Sequence, residues 1–184
     1  MPLCQTGEAQ ARALAKRFVD SDPLVYSSPL GRARRTAELA FPGREIREDE
    51  RLKELNFGEF EGKTLSERLG QSSWHEWSAT SFVTPAPKGE SYGDLRARAV
   101  AWLETLPDGV DVAAVTHSGT IQMLLSHVLG VEQPRWRKRF YLGHTSVTTL
   151  LRGEKELFIE GVNDVTHLGA VQRERDEEPL RREP

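Results

Sequence analysis

The 184-residue sequence has a single cysteine, Cys4. It therefore cannot close an intramolecular disulfide, and no spacing of cysteine and histidine suggests a zinc site, so a reducing cytoplasm is its expected location. It also lacks a basic excess: 25 Lys and Arg stand against 28 Asp and Glu, a formal charge of −3. A chain that wraps nucleic acid carries a basic footprint, so no nucleic-acid partner is expected and any phosphate binding should be local. Long apolar runs are scarce as well. The longest uncharged stretch, Val112 to Val131, nears the length of a membrane span but holds two histidines, two glycines, two serines, two threonines and a glutamine. It reads as a buried strand, a turn and a helix, and no membrane association is expected. No glycine-rich phosphate loop follows any predicted strand, which weighs against a nucleotide-binding domain. The opening residues show no basic region leading into an apolar core, so no secretory leader is expected.

What is present fits one domain with a sizeable core, since a chain of this length buries about 70% of its unfolded surface. Residues Thr6 to Val19 carry Ala9, Ala13 or Leu14, and Phe18 at helical spacing, with Thr6 as the expected N-cap. Leu24-Val25-Tyr26-Ser27 is a short β-prone run closed by Pro29, and a helix should follow from Arg32 to Phe41. Ile46 to Leu55 reads as extended and ends in the loop signal Asn56-Phe57-Gly58. Thr64 with Glu67, and Ser91 with Asp94, have capping-box spacing. The first should open a helix that continues, broken at Gly70, through Trp74 and Trp77. The second should open one whose apolar face is Leu95, Ala99, Trp102, Leu103 and Leu106. Between them, Ser81 to Gly89 is a loop. Val110 to Thr116 reads as a fully buried strand, and Thr120 to Leu129 as a helix stopped by Gly130. Ser146 to Leu151 and Glu156 to Glu160 flank Gly153-Glu154 as a closing hairpin. Strands alternating with helices predict an α/β, three-layer sandwich, with a mostly parallel sheet and helices on both faces. The domain should end near residue 168. Residues 169–184 are almost wholly charged and prolyl from Gln172 on, and should be a disordered tail.

Three places put a charged or titratable residue at the end of a predicted strand, where open α/β sheets bind ligands. Arg32 falls in the first turn of a helix, where backbone N–H groups favour anions and a guanidinium can grip a phosphoryl group with two bonds. The competing reading makes Arg32, Arg34 and Arg35 a solvated face, with Arg34 paired to Glu38. Glu54 ends an extended run beside an aromatic residue and a glycine. A partly apolar pocket would raise its pKa as a general acid requires, although it could be a surface glutamate in a charged loop. His117 ends the most apolar strand, directly before a helix. The alternative for it is a core histidine bonded to a carbonyl. His75, His127, His144 and His167 lack such placement and suit structural or surface roles. Trp74 and Trp77 suit helix packing better than a lid.

Together these segments resemble the histidine phosphatase superfamily, also called the phosphoglycerate mutase-like family. The matching pieces run in family order: Pro2-Leu3 with Gly7 and Gln10-Ala11; Ser27-Ser28-Pro29-Leu30-Gly31-Arg32-Ala33-Arg34-Arg35-Thr36-Ala37; and Leu52 to Gly62. Then come Gly89-Glu90-Ser91, Val115-Thr116-His117-Ser118-Gly119, and Asn163-Asp164 with His167-Leu168. The resemblance implies a metal-independent phosphomonoester hydrolase that needs no cofactor and works through a phosphohistidine intermediate. Its implied substrate is a phosphorylated small molecule, and a homodimer is compatible with it. Carried over by motif, Arg32 is the second phosphate-binding arginine, Glu54 the acid or base, and His117 the second histidine on the phosphoryl oxygens. The nucleophilic histidine of the family's Arg-His-Gly strand has no counterpart, because that tripeptide occurs nowhere in the sequence. The expectation is a start that lies inside a longer reading frame, or else natural loss of the first strand, with little or no turnover by these residues alone. A non-catalytic phosphate-binding or scaffold protein is the alternative. The segment Phe57 to Gly62 and the short connection to Gly89 favour the phosphatase branch over the mutases. Sugar phosphates, a cobalamin-precursor phosphate and broad monoesters all remain open as substrates.

Overall fold

The computed structural model describes residues 2–131, 140–154 and 156–169; the expected charged tail lies outside them from residue 170 on. In chain order the elements are α1 (Gln5–Ala15), β1 (Leu24–Ser27), α2 (Gly31–Ala40), β2 (Ile46–Glu48), α3 (Leu65–Leu69) and α4 (Ser72–Thr80). They continue with α5 (Tyr92–Glu104), β3 (Val112–Val115), α6 (Ser118–Val128), β4 (Val147–Arg152) and β5 (Leu157–Asp164). The alternation predicted from the sequence is present, and the fold is α/β.

β1 lies between β2 and β3, parallel to both, with Val25 opposite Ile46 on one side and Ala113 on the other. Successive strand residues point to opposite faces. Val25 packs with Leu14, Ala40 and Phe41, with Ala113, Val115 and Val147 against them. Tyr26 instead joins Leu52, Ala99, Trp102, Leu103 and Leu124, with Val112 and Leu157. α1 and α2 therefore cover one face, and α5 and α6 the other. A third cluster, Leu55, Phe60, Trp74, Trp77, Leu95 and Met123, lies between α4, α5, α6 and the loops around residue 57. Trp74 and Trp77 are buried there with ring centroids 5.1 Å apart, a packing role as expected.

Both capping boxes form, at Thr64 with Glu67 and at Ser91 with Asp94. The first helix beyond them is interrupted: α3 ends at Gly70 and α4 starts afresh at Ser72. Gly130, at φ +63°, stops α6. Three expectations need correction. Thr6 lies inside α1, whose N-cap is Cys4, because the helix starts two residues earlier than that cap would place it. The run Ile46 to Leu55 is strand only to Glu48, after which Asp49 caps a 3₁₀ turn through its carboxylate and Arg51 N–H. Finally, β3 is not fully buried: Ala114 is exposed and its neighbours only half-buried. The reason is topological. Among the described residues nothing pairs with β3's second edge, and β4 and β5 form an antiparallel hairpin of their own rather than an edge of the same sheet.

Candidate active site

The parallel strands end together, and the loops beyond them gather the three residues singled out above. β1 ends in Ser27-Ser28, both fully buried. The Ser28 N–H donates to Val115 O at 2.9 Å, which ties the ends of β1 and β3 together. β3 runs on through Thr116 to His117, the N-cap of α6, held in extended conformation at φ −126° and ψ 160°. His117 Nε2 lies 2.9 Å from Ser28 Oγ, which also accepts from Leu30 N–H. The imidazole is therefore fixed across the strand ends.

His117 is 7% exposed. Burial, reinforced by the positive charges of Arg32 and Arg98, pushes its pKa down to about 3. At neutral pH the ring is uncharged and offers one N–H. An entering dianion would offset the guanidinium repulsion and favour protonation of the ring.

Glu54 is reached by a short strap, residues 49–56, that crosses from β2 to the site. Its carboxylate accepts from Gly119 N–H, in the first turn of α6, at 3.1 Å, and from Leu55 N–H at 2.9 Å. Burial raises its pKa above the ordinary glutamate range, against the opposing pull of those two backbone bonds and of Arg32 and Arg98. This is the direction a proton donor requires. The glycine at 119 has a steric cause: a Cβ there would overlap the Glu54 carboxylate.

The three arginines opening α2 divide sharply. Arg34 bonds to Glu38 at 3.1 Å and also pairs with Glu48, and Arg35 bonds to Glu8 at 3.0 Å and to Glu38 at 3.3 Å. Arg34 is thus the solvated, paired residue that the competing reading described. Among the described residues no carboxylate pairs with Arg32, whose charge is felt at both Glu54 and His117. Arg32, Glu54 and His117, which lie 22 and 63 positions apart in sequence by subtraction (54 − 32; 117 − 54), share one site.

Some participants escaped the sequence reading. Ser28 was visible only as part of a motif, and its bond to His117 spans 89 positions. Thr116 and Thr120 hydroxyls donate to Leu52 O at 2.6 Å and Lys53 O at 2.9 Å, stapling the strap to β3 and α6. Arg98, on the middle of α5, gave no signal beyond its charge. Two further histidines have partners of their own: His75 Nε2 meets Leu69 O at 2.7 Å and His167 Nε2 meets Thr145 Oγ1 at 3.2 Å.

Comparison with known proteins gives the family. The profile of the Histidine phosphatase superfamily (branch 1) matches residues 1–165. The Probable phosphoglycerate mutase GpmB of Escherichia coli O1:K1 is 32% identical, the match covering 92% of this chain and 84% of that protein. Among solved structures, Bacillus stearothermophilus YhfR superposes with a TM-score of 0.82 at 30% identity, covering 91% of this chain and 87% of that one. The phosphoserine phosphatase of Entamoeba histolytica, in complex with 3-phosphoglyceric acid, gives 0.81 at 26% identity, covering 91% and 86%. With a parallel sheet flanked by helices and a family profile that spans nearly the whole chain, this protein belongs to the histidine phosphatase superfamily, branch 1.

Proposed function

We propose that the site is built for metal-independent hydrolysis of phosphate monoesters through a phosphohistidine intermediate. Arg32 and His117 hold the phosphoryl oxygens and stabilise the charge that spreads over them in the transition state. An imidazole nitrogen attacks phosphorus, the ester P–O bond breaks, and Glu54 passes its proton to the departing alkoxide. Water then attacks the phosphoimidazole, Glu54 takes the water's proton, and phosphate leaves with the histidine restored. The observation that carries this reading is the seat of Glu54. Its carboxyl group is desolvated enough to keep a proton, while Gly119 N–H and Leu55 N–H stand ready to stabilise it once that proton has gone.

The attacking imidazole is the part these 184 residues leave unassigned, since they contain no Arg-His-Gly and His117 is already bonded to Ser28. The unpaired edge of β3, next to His117 and facing a hairpin that joins no other strand among the described residues, is a natural place for a further strand bearing it. This supports the expectation of little turnover by the 184 residues alone. It also keeps open a non-catalytic phosphate-binding role, favoured by the same absent motif. The phosphoserine and 3-phosphoglyceric acid held by the Entamoeba histolytica phosphoserine phosphatase suggest a small phosphorylated acid as a first substrate to try.

Two measurements test the reading. Calorimetry should detect inorganic phosphate binding to the 184-residue protein and its loss in Arg32→Ala. Adding an N-terminal strand that ends in Arg-His-Gly should then give hydrolysis of p-nitrophenyl phosphate that survives EDTA. In that protein Glu54→Gln should lower turnover of an alkyl phosphate by about 10²–10⁴-fold. Phosphate binding without turnover in the extended protein would favour the non-catalytic role, and robust hydrolysis by the unextended protein would overturn the assignment of the nucleophile.

A further inference from the structure

Arg98, in the middle of α5, gives three of its five hydrogen-bond donors to the strap that carries Glu54. Nη1 donates to Arg51 O and to Lys53 O, each at 2.7 Å, and Nη2 donates to Glu54 O at 3.0 Å. The remaining donors, Nε and the second N–H of Nη2, go to the Glu90 carboxylate at 3.1 and 2.7 Å. A guanidinium has five N–H donors in a rigid fork, and here all five are used. Glu90 is no mere counter-ion. Its Oε1 also accepts from Asn56 N–H at 2.9 Å, and its own N–H donates to Asn56 O at 3.0 Å. The two residues thus grip the strap on both sides of Glu54. Each side chain is 20% exposed.

The opposite side of the strap is fixed by the Thr116 and Thr120 hydroxyls. The four consecutive carbonyls from Arg51 to Glu54 are thereby all satisfied by side chains, on a segment that is neither helix nor strand beyond residue 52. Backbone groups of an irregular segment usually turn to water for partners. Three side chains, Arg98 from α5, Thr116 from just past β3 and Thr120 from the first turn of α6, instead lock one conformation, the one that delivers the Glu54 carboxyl group to Gly119 N–H.

We propose that Arg98, braced by Glu90, is a positioning residue for the acid of the site: its fork on three strap carbonyls sets where the Glu54 carboxyl group sits against α6. The role extends the hydrolase reading above, because it takes Glu54 as the proton donor, but it acts on a seat that exists in the unliganded protein. A lysine at 98 would keep the positive charge and lose the fork, since an ammonium on one flexible stem cannot span three carbonyls and a carboxylate. The side chain therefore separates charge from geometry.

The test uses the 184-residue protein with no substrate. Glutamate side chains are labelled with ¹³C at the carboxyl carbon, Glu54 is assigned with Glu54→Gln, and amide exchange is followed at Leu55, Asn56 and Gly119. In wild type Glu54 should titrate above the other glutamates, held by burial against the charges of Arg32 and Arg98. In Arg98→Lys its midpoint should fall back towards the ordinary range as the carboxyl group leaves its seat. Exchange at Leu55, Asn56 and Gly119 should quicken about tenfold or more, while β1 and the middle of α6 stay protected. A folded Arg98→Lys with an unmoved Glu54 titration and unchanged exchange at those amides would overturn the proposal. So would loss of protection spread evenly over the domain, the mark of a residue that only stabilises the fold. If Arg98→Lys does not fold, Glu90→Gln, which leaves Arg98 in place without its brace, carries the same readouts with the same two outcomes. Phosphate binding is measured separately, so a protein that fails to bind phosphate counts against the hydrolase reading while the strap result stands.

Discussion

The two sides of the site are built to different standards. On the side of the strap, α5 and α6, Leu52, Leu95, Met123 and Leu125 are fully buried, and every strap carbonyl from Arg51 to Glu54 has a side-chain donor. On the side of β3 and the hairpin, the most apolar strand of the chain is half-exposed, and the first four residues of β4 are half-buried with neither face sealed. Side chains bridge the hairpin to the rest: Arg17 pairs with Asp164, and Arg152 donates to Leu106 O and to Leu103 O. The closed side carries Glu54, the proposed acid, whose pKa is raised by exclusion of water. The open side exposes backbone edges that a further strand could pair with. A desolvated carboxyl needs a finished wall, and an unpaired strand edge does not.

The contrast is broken most easily at its core. Leu52→Ala, at a fully buried position, should cost about 2–5 kcal/mol in urea unfolding, whereas Val112→Ala, in half-exposed β3, should cost less than about 1.5 kcal/mol. Equal losses would mean that both sides are equally packed. The next largest effect falls on the acid alone. Gly119→Ala should force the Glu54 carboxylate from its seat while α6, for which alanine is the better former, stays intact. In a protein supplied with a nucleophile, turnover of an alkyl phosphate should drop by about 10²-fold, the lower end of acid catalysis. Hydrolysis at the wild-type rate would show that the acid does not depend on this closed side.

The smallest effect sharpens the electrostatic side of the comparison. With its pKa near 3, folded His117 refuses a proton that the unfolded chain accepts below about 6.5, so its stabilising contribution is full above 6.5 and is lost as pH falls towards 3. Between pH 6.5 and 5 the loss should be about 1–2 kcal/mol. His117→Gln should flatten that stretch of the stability curve, His167, whose pKa is also lowered by burial, accounting for the remainder. Glu54 works in the opposite sense: its raised pKa lets the folded protein hold a proton longer, so its contribution improves as pH falls. An unchanged slope in His117→Gln would remove His117 from the buried, neutral role.

Much of this was legible locally. Capping boxes carry their information within three residues, and both appear where Thr64 with Glu67 and Ser91 with Asp94 announce them. The hairpin follows from the two runs that flank Gly153-Glu154, whereas its register, which shifts between Val147 and Leu150, does not. Helix faces follow from period, so Leu95, Ala99, Trp102 and Leu103 are buried as the pattern requires. The site residues were legible as types at strand ends, and Arg32, Glu54 and His117 do meet. The edge status of β3 was not, because its apolar run looks the same whether one edge or both are paired.

The sequence by itself determined the alternating elements, the caps and the three chemical groups, since each is encoded in residues a few positions apart. Only the tertiary structure decided that Arg34 and Arg35 are neutralised while Arg32 is not, that His117 is uncharged against Ser28, and that Arg98 holds the backbone of Glu54 from 44 positions away. Desolvation and long-range hydrogen bonding sum over atoms that the chain keeps far apart until it folds, and no local pattern carries that sum.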